Sequence, residues 1–438
     1  MSISVPLYGF GDGSGVSGGT GATLTVTAPA GCTVTVSKDG KTKTKTAGAD
    51  GLAVFKGLGT GEWTVTITDG TDTSTDTVDL VANYTKEMSF AKIYGIARDI
   101  TASSPVWART DDAVGKTATA SVGTVAGRSD FDNCYPWSGI HRETLSTGDV
   151  MVKIPKFWFR RYRGGDVEYI KIADKAATGF TLHPAFKHAG VEVDYIYVGA
   201  YKTSSNSKSV SGGYPQTQLK RATMRTYAKN KGTGWNLIDI AALSAIQMLI
   251  LVEFATNNVQ AAIGRGYCDR NSAAISTGSC NSVANLTGRP AGTDGKVDVV
   301  WRGIEGLWDN VWEWVDGVNW NDGTYYVCND PSKYADDTAT NYTALSFKGA
   351  TNWSTSYITE EGLDTGNNEH VMLPAAAGSG SESTYDCDAC WSNIGWMVFK
   401  HGGDWENGSY CGLFAALLID ASSYSGAYIG SRLLYIPS

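Results

Sequence analysis

The end of the chain, Gly402–Ser438, decides the fold and reads GGDWENGSYCGLFAALLIDASSYSGAYIGSRLLYIPS. In an extended segment, successive side chains point to opposite faces. One face then carries Leu413, Ala415, Leu417 and Ile419, and the other carries Phe414, Ala416 and Leu418. The same spacing of two returns after an Ala-Ser-Ser turn, at Tyr424, Gly426 and Tyr428. We therefore expect a displayed segment held at both ends, with one face that anchors and one that is free to vary.

Upstream, Gly306–Val315 reads GLWDNVWEWV and places three tryptophans close together. Each indole has a large area to bury and an N–H that needs a partner. The pattern over 297–317 predicts a strand and hairpin that seats these rings in the core. Glu313 lies among them, and a buried carboxylate needs donors such as Arg432. We expect a structural role for Glu313, with a catalytic role as the alternative.

These segments carry a family resemblance. Asp309-Asn-Val-Trp-Glu-Trp-Val is followed far downstream by Gly402-Gly-Asp-Trp and then by Ile429-Gly-Ser-Arg-Leu-Leu. Their order and spacing resemble the GNVWEW, GGSW and IGFR signature of formylglycine-generating-enzyme-type C-type lectin folds. In particular, the motifs resemble the variable proteins of diversity-generating retroelements, found in phage tail-fibre receptor-binding proteins. The resemblance covers roughly residues 93–438, with Asp309 and Ser431 in place of the usual Gly and Phe.

The resemblance implies an α+β fold class over 93–438, a C-type lectin fold in which two helices pack around a small twisted sheet. It implies that 402–438 is the variable region of a ligand-binding domain. The expected partner is a bacterial surface protein or glycan, bound by several copies of the chain, as a homo-oligomer such as a trimer. The expected location is the tail fibre of a virion.

In the resembling proteins, a retroelement randomises adenines in codons that are mostly Asn in the template. The candidate ligand surface holds residues reachable from Asn codons, except for one acidic residue added on position alone, Glu406. The set is Asp404, Glu406, Tyr410, Ala415, Leu417, Ile419, Asp420, Tyr424, Gly426 and Tyr428. Tyr supplies rigid, amphipathic contact area at little entropic cost. The expected scaffold is Gly402, Gly403, Trp405, Phe414, Ile429, Gly430 and Arg432. The alternative interpretation keeps Leu417 and Ile419 as core residues.

The oxidising enzymes of this family use two nearby cysteines after the GGS motif to bind copper. Cys411 matches the second, whereas the first falls on Glu406 or Asn407. A lone thiol cannot supply two-thiolate ligation, so we expect no enzyme activity and no catalytic residues. A formylglycine-generating-type oxidase is the alternative function. A purely structural virion protein is a third, favoured if Tyr410, Tyr424 and Tyr428 are buried.

The length of 438 residues indicates two or three domains. The net charge of -8 and the absence of a Lys/Arg cluster that offsets it argue against nucleic acid as a partner. The run Lys41–Lys45 alternates Lys with Thr and is interpreted as the polar face of a strand. No signal peptide precedes the Gly-rich start, which indicates cytoplasmic synthesis.

Residues 1–21 form a Gly/Ser-rich leader, interpreted as an attachment peptide or a flexible terminus. Over 22–92, short runs that alternate apolar residues with Thr are separated by Asp-Gly turns. They predict a small immunoglobulin-like β-sandwich that serves as a spacer or adhesive stalk. Further on, we predict helices over 217–229 and 237–255. The second is interrupted by polar residues and is predicted to be a buried amphipathic helix that does not insert into a membrane.

Other residue patterns leave alternatives open. Arg160, Arg161 and Arg163 suit either an anionic ligand or stacking on aromatic rings at a solvated edge. Cys268 and Cys280 are able to bridge, and the pair Cys387 and Cys390 is interpreted as structural. No cofactor is indicated. The Asp-rich and Glu-rich loops of 318–384 allow a structural calcium site, although they lack the ordered spacing of an EF-hand.

Overall fold

A computed structural model describes residues 21–269, 272–292 and 294–437. The predicted leader, except for Gly21, lies outside the described residues. The chain divides into two compact units after Ala91.

The first unit consists of two sheets around one apolar core. Alternation of buried Val with more exposed Thr, as in Thr33–Lys38, places one face of each strand inside. The four-stranded sheet has the order Lys41–Thr46, Thr33–Lys38, Gly61–Thr68 and Thr73–Leu80; the three-stranded sheet has the order Leu52–Leu58, Ala22–Thr27 and Tyr84–Glu87. The strands predicted over 22–92 are therefore present, while the immunoglobulin-like assignment stays a prediction.

The second unit is built around a nine-stranded sheet whose central strand, Trp312–Asn321, is buried along almost its whole length. Trp308 and Trp314 are fully buried, and their indole N–H groups donate to the carbonyls of Gly264 and Leu219. The prediction that the tryptophans lie in the core is confirmed. In order, the sheet contains Thr343–Lys348, Thr324–Val327, Trp312–Asn321, Trp396–His401, Ala416–Leu418, Ala389–Ser392, Ser356–Glu361 and Pro374–Gly378, with Ile429–Gly430 beside Trp312–Asn321.

Smaller sheets complete the second unit. One five-stranded sheet has the order His141–Thr144, Val150–Pro155, Tyr195–Gly199, Leu433–Tyr435 and Trp235–Leu237. The other has the order Thr181–Leu182, Trp158–Gly164, Val167–Ala173, Ile93–Asp99 and Ala108–Asp111. A four-stranded sheet contains Ser121–Val122, Gly288–Arg289, Val300–Trp301 and Ile304–Glu305, and two ribbons pair Ala118–Thr119 with Arg128–Ser129 and Lys187–His188 with Val191–Glu192.

The longest described helix, Ile240–Phe254, starts at Asp239, whose carboxylate accepts from the Ala242 N–H at 2.8 Å. The helix is buried on every side, so the prediction that it is buried is confirmed, whereas the prediction that it is amphipathic is wrong. Its polar residues are satisfied inside the protein; for example, the Gln247 amide donates to the Leu413 carbonyl. Two shorter helices are Arg221–Lys229 and Val259–Ala262. Among the described helices, none has the length and apolar character needed to cross a bilayer.

The fold of the second unit is thus mostly β, with less helix than the predicted α+β class suggests. The structure confirms that the end of the chain is held on both sides. Ala416–Leu418 lies between Trp396–His401 and Ala389–Ser392, and Leu433–Tyr435 joins Tyr195–Gly199 in the next sheet. Residues 419–428 connect these two anchors.

Candidate functional site

The predicted scaffold residues are buried. Gly402 and Gly403 have positive φ angles of 101° and 113°. A Cβ at Gly402 would lie 2.7 Å from the Leu307 carbonyl oxygen, so only glycine fits this close approach. Phe414 and Ile429 pack in the core, and the Trp405 side chain is only 9% exposed.

Glu313 lies in a buried ion cluster. Arg432 donates to its carboxylate at 2.6 Å and Lys202 at 2.9 Å. Burial by itself raises the pKa of Glu313, but Arg432 and Lys202 outweigh it and hold the pKa at about 2. Arg432 also donates to the carbonyls of Gly199 and Glu305, and so joins the end of the chain to the central strand. The predicted pairing of Glu313 with Arg432 is confirmed, and a structural role for Glu313 stays a prediction.

The candidate ligand residues fall into three groups by exposure. The exposed ones are Glu406, Tyr410 and Ile419, with Tyr410 at 37% and Ile419 at 38%. The half-buried ones are Asp420, Tyr424 and Tyr428. The buried ones are Asp404, Ala415, Leu417 and Gly426. The structure therefore corrects the expectation that one whole face of the segment is free to vary.

Strand pairing and aromatic packing explain why members of the third group are buried. Between residues 402 and 428 the one strand is Ala416–Leu418, and it lies inside the large sheet. Ala415 and Leu417 pack in one apolar cluster with Trp312 and Trp314, so these two side chains lie against the tryptophans. The core interpretation is confirmed for Leu417 and wrong for Ile419. A Cβ on Gly426 would lie 3.1 Å from both the Tyr424 and Tyr428 rings.

The tail tyrosines continue into a wider aromatic surface, defined here as Tyr357, Trp391, Tyr410, Tyr424 and Tyr428. The ring centroids of Tyr357 and Tyr410 are 5.2 Å apart, and those of Trp391 and Tyr410 are 6.1 Å apart. The Tyr424 and Tyr428 hydroxyls are 2.6 Å apart. Trp391, Tyr424 and Tyr428 all pack on the cluster that contains Trp312. The aromatic surface is partly exposed and rests on buried tryptophans.

Sequence reasoning missed Tyr357 and Trp391 as members of this surface. Both lie outside 402–438 and reach it through the order of strands in the sheet. Ala389–Ser392 pairs with Ala416–Leu418, and Ser356–Glu361 pairs with the other side of Ala389–Ser392. Ile394 is 57% exposed and follows Asn393, whose N–H donates to the Leu418 carbonyl. No local signal marks these residues, since strand order alone brings them to the tail.

Asp420 forms an ion pair with Lys400, whose side chain is fully buried. The Lys400 ammonium lies 4.9 Å from the Trp314 ring centroid and 5.8 Å from that of Tyr424. Burial lowers the pKa of Lys400 to about 8, although Asp420 acts in the opposite direction. Asp420 thus has a structural partner as well as an exposed edge.

Asp404 organises the loop that presents Glu406 and Tyr410. Its carboxylate accepts from the Glu406 N–H at 2.9 Å, and its own N–H donates to Asn407. Burial, followed by the nearby Glu406 charge, raises the pKa of Asp404 to about 6, although hydrogen bonds from the Glu406 backbone and the Trp312 side chain lower it. The position of Asp404 therefore fits loop support better than direct display.

The structure places Cys411 against Cys268, a neighbour that the sequence did not predict. Both are fully buried and reduced, and Cys268 is not bonded to Cys280. Burial and the Cys268 thiol raise the pKa of Cys411 well above its usual value. Cys411 donates to the Asp404 carbonyl at 3.3 Å, which ties the thiol to the loop. Cys387 and Cys390 are also buried and reduced.

Below this loop, Asp298 and Asp309 are buried side by side. Burial, and then the Asp309 charge, raises the pKa of Asp298 well above its usual value. Each has one carboxyl oxygen, Oδ1, without a partner among the described residues. Asp298 and Asp309 therefore form a buried acidic pair in which burial disfavours the charged form of Asp298.

Three acidic residues from the 318–384 loops, where the sequence allows a calcium site, form ion pairs with lysine or arginine side chains. Asp336 accepts from Arg221 and Arg225, each at 2.6 Å, Asp330 pairs with Lys333, and Glu360 pairs with Arg163. Over the described ranges, no group of three or more His, Cys, Asp or Glu side chains is arranged to hold a metal ion.

The arginines proposed for an anionic ligand also have internal partners. Arg161 is buried and pairs with Glu168 at 2.6 Å, so the expectation of a solvated edge is wrong for this residue. Arg160 stacks over Tyr162 at 4.3 Å, as the alternative interpretation predicts.

The sequence matches no protein-family model and no curated protein sequence. Among solved structures, the chain is similar to one described as "Major Tropism Determinant P3c Variant", with 14% identity, 86% of this chain and 81% of that chain covered, and a TM-score of 0.25. It is also similar to "Major Tropism Determinant U1 Variant", with 12% identity, coverage of 85% and 80%, and a TM-score of 0.25. A likeness at this level carries no argument about the fold or function of the chain.

Proposed function

We propose that this chain is a receptor-binding protein of phage or prophage origin that displays a diversified surface on a C-type lectin scaffold. The single observation that supports this most is the aromatic surface. Rigid, amphipathic side chains are held at partial exposure over a core of buried tryptophans. Such residues give large contact area at low entropic cost, as in antibody paratopes. The partner we propose is a bacterial surface protein or glycan, bound from a virion tail fibre.

We propose a narrower ligand surface than the sequence suggests. It comprises Glu406, Tyr410, Ile419, Asp420, Tyr424 and Tyr428 from the tail, together with Tyr357, Trp391 and Ile394. Ala415, Leu417 and Gly426 join the scaffold because they are buried. A homo-oligomer that carries several such surfaces would bind cells by avidity even if each site is weak.

The oxidase alternative needs two cysteines in the tail, but the position expected for the first holds Glu406 or Asn407. Cys411 lies against Cys268 instead, and both thiols are fully buried. Burial raises the pKa of Cys411 well above its usual value, which disfavours the thiolate that a copper site requires. The purely structural alternative required buried tyrosines, whereas Tyr410 is exposed.

The proposal is tested by labelling this protein with a fluorescent dye and measuring its binding to whole bacterial cells. The double variant Tyr410→Ala with Ile419→Ala should bind at least tenfold more weakly to cells that the wild type binds, because it removes two exposed contacts. Tyr227→Ala is the matched control, since Tyr227 is 40% exposed but lies on the helix Arg221–Lys229. Equal binding by the double variant and the wild type would refute the proposed surface.

The neighbouring DNA gives an independent test of diversification. We expect a near-copy of the tail coding sequence beside a reverse transcriptase gene, with Asn codons at Tyr410, Ile419, Asp420, Tyr424 and Tyr428. A near-copy with Asn codons at Ala415 and Leu417 as well would contradict our narrower surface.

A further inference from the structure

A lysine-lined groove lies between two edge strands of the first unit. Lys41–Thr46 is an edge of the four-stranded sheet, and Leu52–Leu58 is an edge of the three-stranded sheet. Within the described chain, neither strand has a second partner on its outer side. The space between them contains cavities of about 340 Å³ and about 650 Å³, and Lys43 lines both.

The groove is strongly cationic although the whole chain is acidic. Its lining includes Lys38, Lys41, Lys43, Lys45 and Lys56, whereas Asp39 is the one acidic residue lining either cavity. None of these lysines lies within 4.0 Å of a carboxylate of the described residues. The lysine run and Lys56 come from different strands, so the sequence shows only part of the cluster.

The lysine side chains reach into the gap and contact neutral groups. The Lys43 ammonium donates to the Lys56 carbonyl at 3.3 Å, and the Lys38 ammonium donates to the Thr60 carbonyl. The Lys45 ammonium lies 5.8 Å from the Phe55 ring centroid. The positive charge therefore remains available to an anion from outside.

We propose that this groove binds an anionic polysaccharide of a bacterial surface. Lysine is a compact point charge that suits repeated anionic groups. Alternate lysines on one strand repeat at about 7 Å, which offers a row of charges to a linear polymer. Thr42 adds a hydroxyl to the lining of the first cavity.

Two other occupants fit the groove less well. Lysines on an edge strand oppose the addition of a further strand, which argues against an extended peptide. Single-stranded nucleic acid needs aromatic faces for its bases, but Phe55 is 1% exposed and Trp63 is 6% exposed. The proposal gives the first unit an attachment role of its own, beyond that of a spacer and separate from the tail surface.

Binding of dextran sulfate to the full chain, with neutral dextran for comparison, tests the proposal. Wild-type protein should bind dextran sulfate at low salt, and the binding should weaken as salt rises. The triple variant Lys41→Glu, Lys43→Glu and Lys45→Glu should lose at least tenfold in affinity. Its matched control is Lys187→Glu, Lys220→Glu and Lys348→Glu, because these exposed lysines give the same charge change in the second unit.

Glutamate is chosen because it keeps the edge charged and so protects it from strand pairing between molecules. If the triple variant unfolds, Lys56→Gln on the opposite strand replaces it, with a loss of several-fold expected. Tyr410→Ala should leave dextran sulfate binding unchanged, which separates this proposal from that for the tail surface.

The proposal would be overturned if the wild type did not bind dextran sulfate, or if its binding did not depend on salt. An equal loss of affinity in the triple variant and in its control would also overturn it. Tighter binding of polyglutamate would assign the groove to a protein, and tighter binding of a single-stranded oligonucleotide would assign it to a nucleic acid.

Discussion

At the residue scale, Asp420 is both a candidate ligand residue and the counter-charge of a buried lysine. Asn at this position leaves Lys400 buried without an ionic partner. We predict that Asp420→Asn lowers the free energy of unfolding by roughly 3 kcal/mol, measured by urea denaturation. The double variant Lys400→Met with Asp420→Asn should recover most of the loss. An unchanged unfolding free energy in Asp420→Asn would show that this position varies freely.

The buried histidines give a second prediction at this scale. Burial lowers the pKa of His370 to about 3 and that of His401 to about 4, whereas both titrate near 6.5 when unfolded. Between pH 6.5 and these lower pKa values, the unfolded chain therefore binds more protons than the folded chain. The free energy of unfolding should be unaffected by these two histidines above pH 6.5 and should decrease as the pH falls below 6.5.

His370→Phe should flatten this acid dependence, since neither ring nitrogen of His370 has a hydrogen-bond partner among the described residues. We expect a smaller fall in melting temperature between pH 7 and pH 4 than in the wild type. His141→Phe is the control, because His141 is exposed. If His370→Phe and the wild type had identical pH profiles of melting temperature, His370 would not contribute to the acid dependence of stability.

At the scale of elements, the tail combines a buried strand with an exposed connection. The tail segment up to Leu418 is anchored in the large sheet, whereas residues 419–428 lie between two anchors. Spacing along the chain predicts the same freedom for Ala415 and Ile419, but the sheet covers only Ala415. Exposure, and not spacing, should decide which positions accept new side chains.

Asn substitutions at these two positions test that statement. Ala415→Asn places a larger polar group against Trp312 and Trp314, so we predict a loss of roughly 3 kcal/mol in unfolding free energy. Ile419→Asn should change it by about 0.5 kcal/mol or less, as for most surface positions. Differential scanning fluorimetry and urea denaturation measure both effects. Equal losses would mean that the two positions share one environment.

At the scale of the whole molecule, each compact unit has its own apolar core. Units with separate cores are expected to unfold separately. We predict two calorimetric transitions, and Val65→Ala in the first unit should lower only one of them, because Val65 is fully buried in that core. A single transition that shifts as a whole would contradict this independence.

The sequence by itself was sufficient for features that depend on local pattern or on strong chemical preference. Alternation of Val with Thr predicts the strands of the first unit, because a half-buried strand needs that period. The tryptophan cluster predicts a core position for Trp308 and Trp314, since large indoles are buried with partners for their N–H groups. The need of a buried carboxylate for donors likewise predicts the pair of Glu313 with Arg432.

Only the tertiary structure decided which tail residues are exposed and which distant residues join them. Period-two spacing separates two faces, but it cannot tell which face a neighbouring sheet covers. The order of strands covers Ala415 and Leu417 and brings Tyr357 and Trp391 to Tyr410. The lysine groove arises in the same way, because two edge strands bring Lys43 and Lys56 together. Such contacts depend on long-range packing, and no local pattern encodes them.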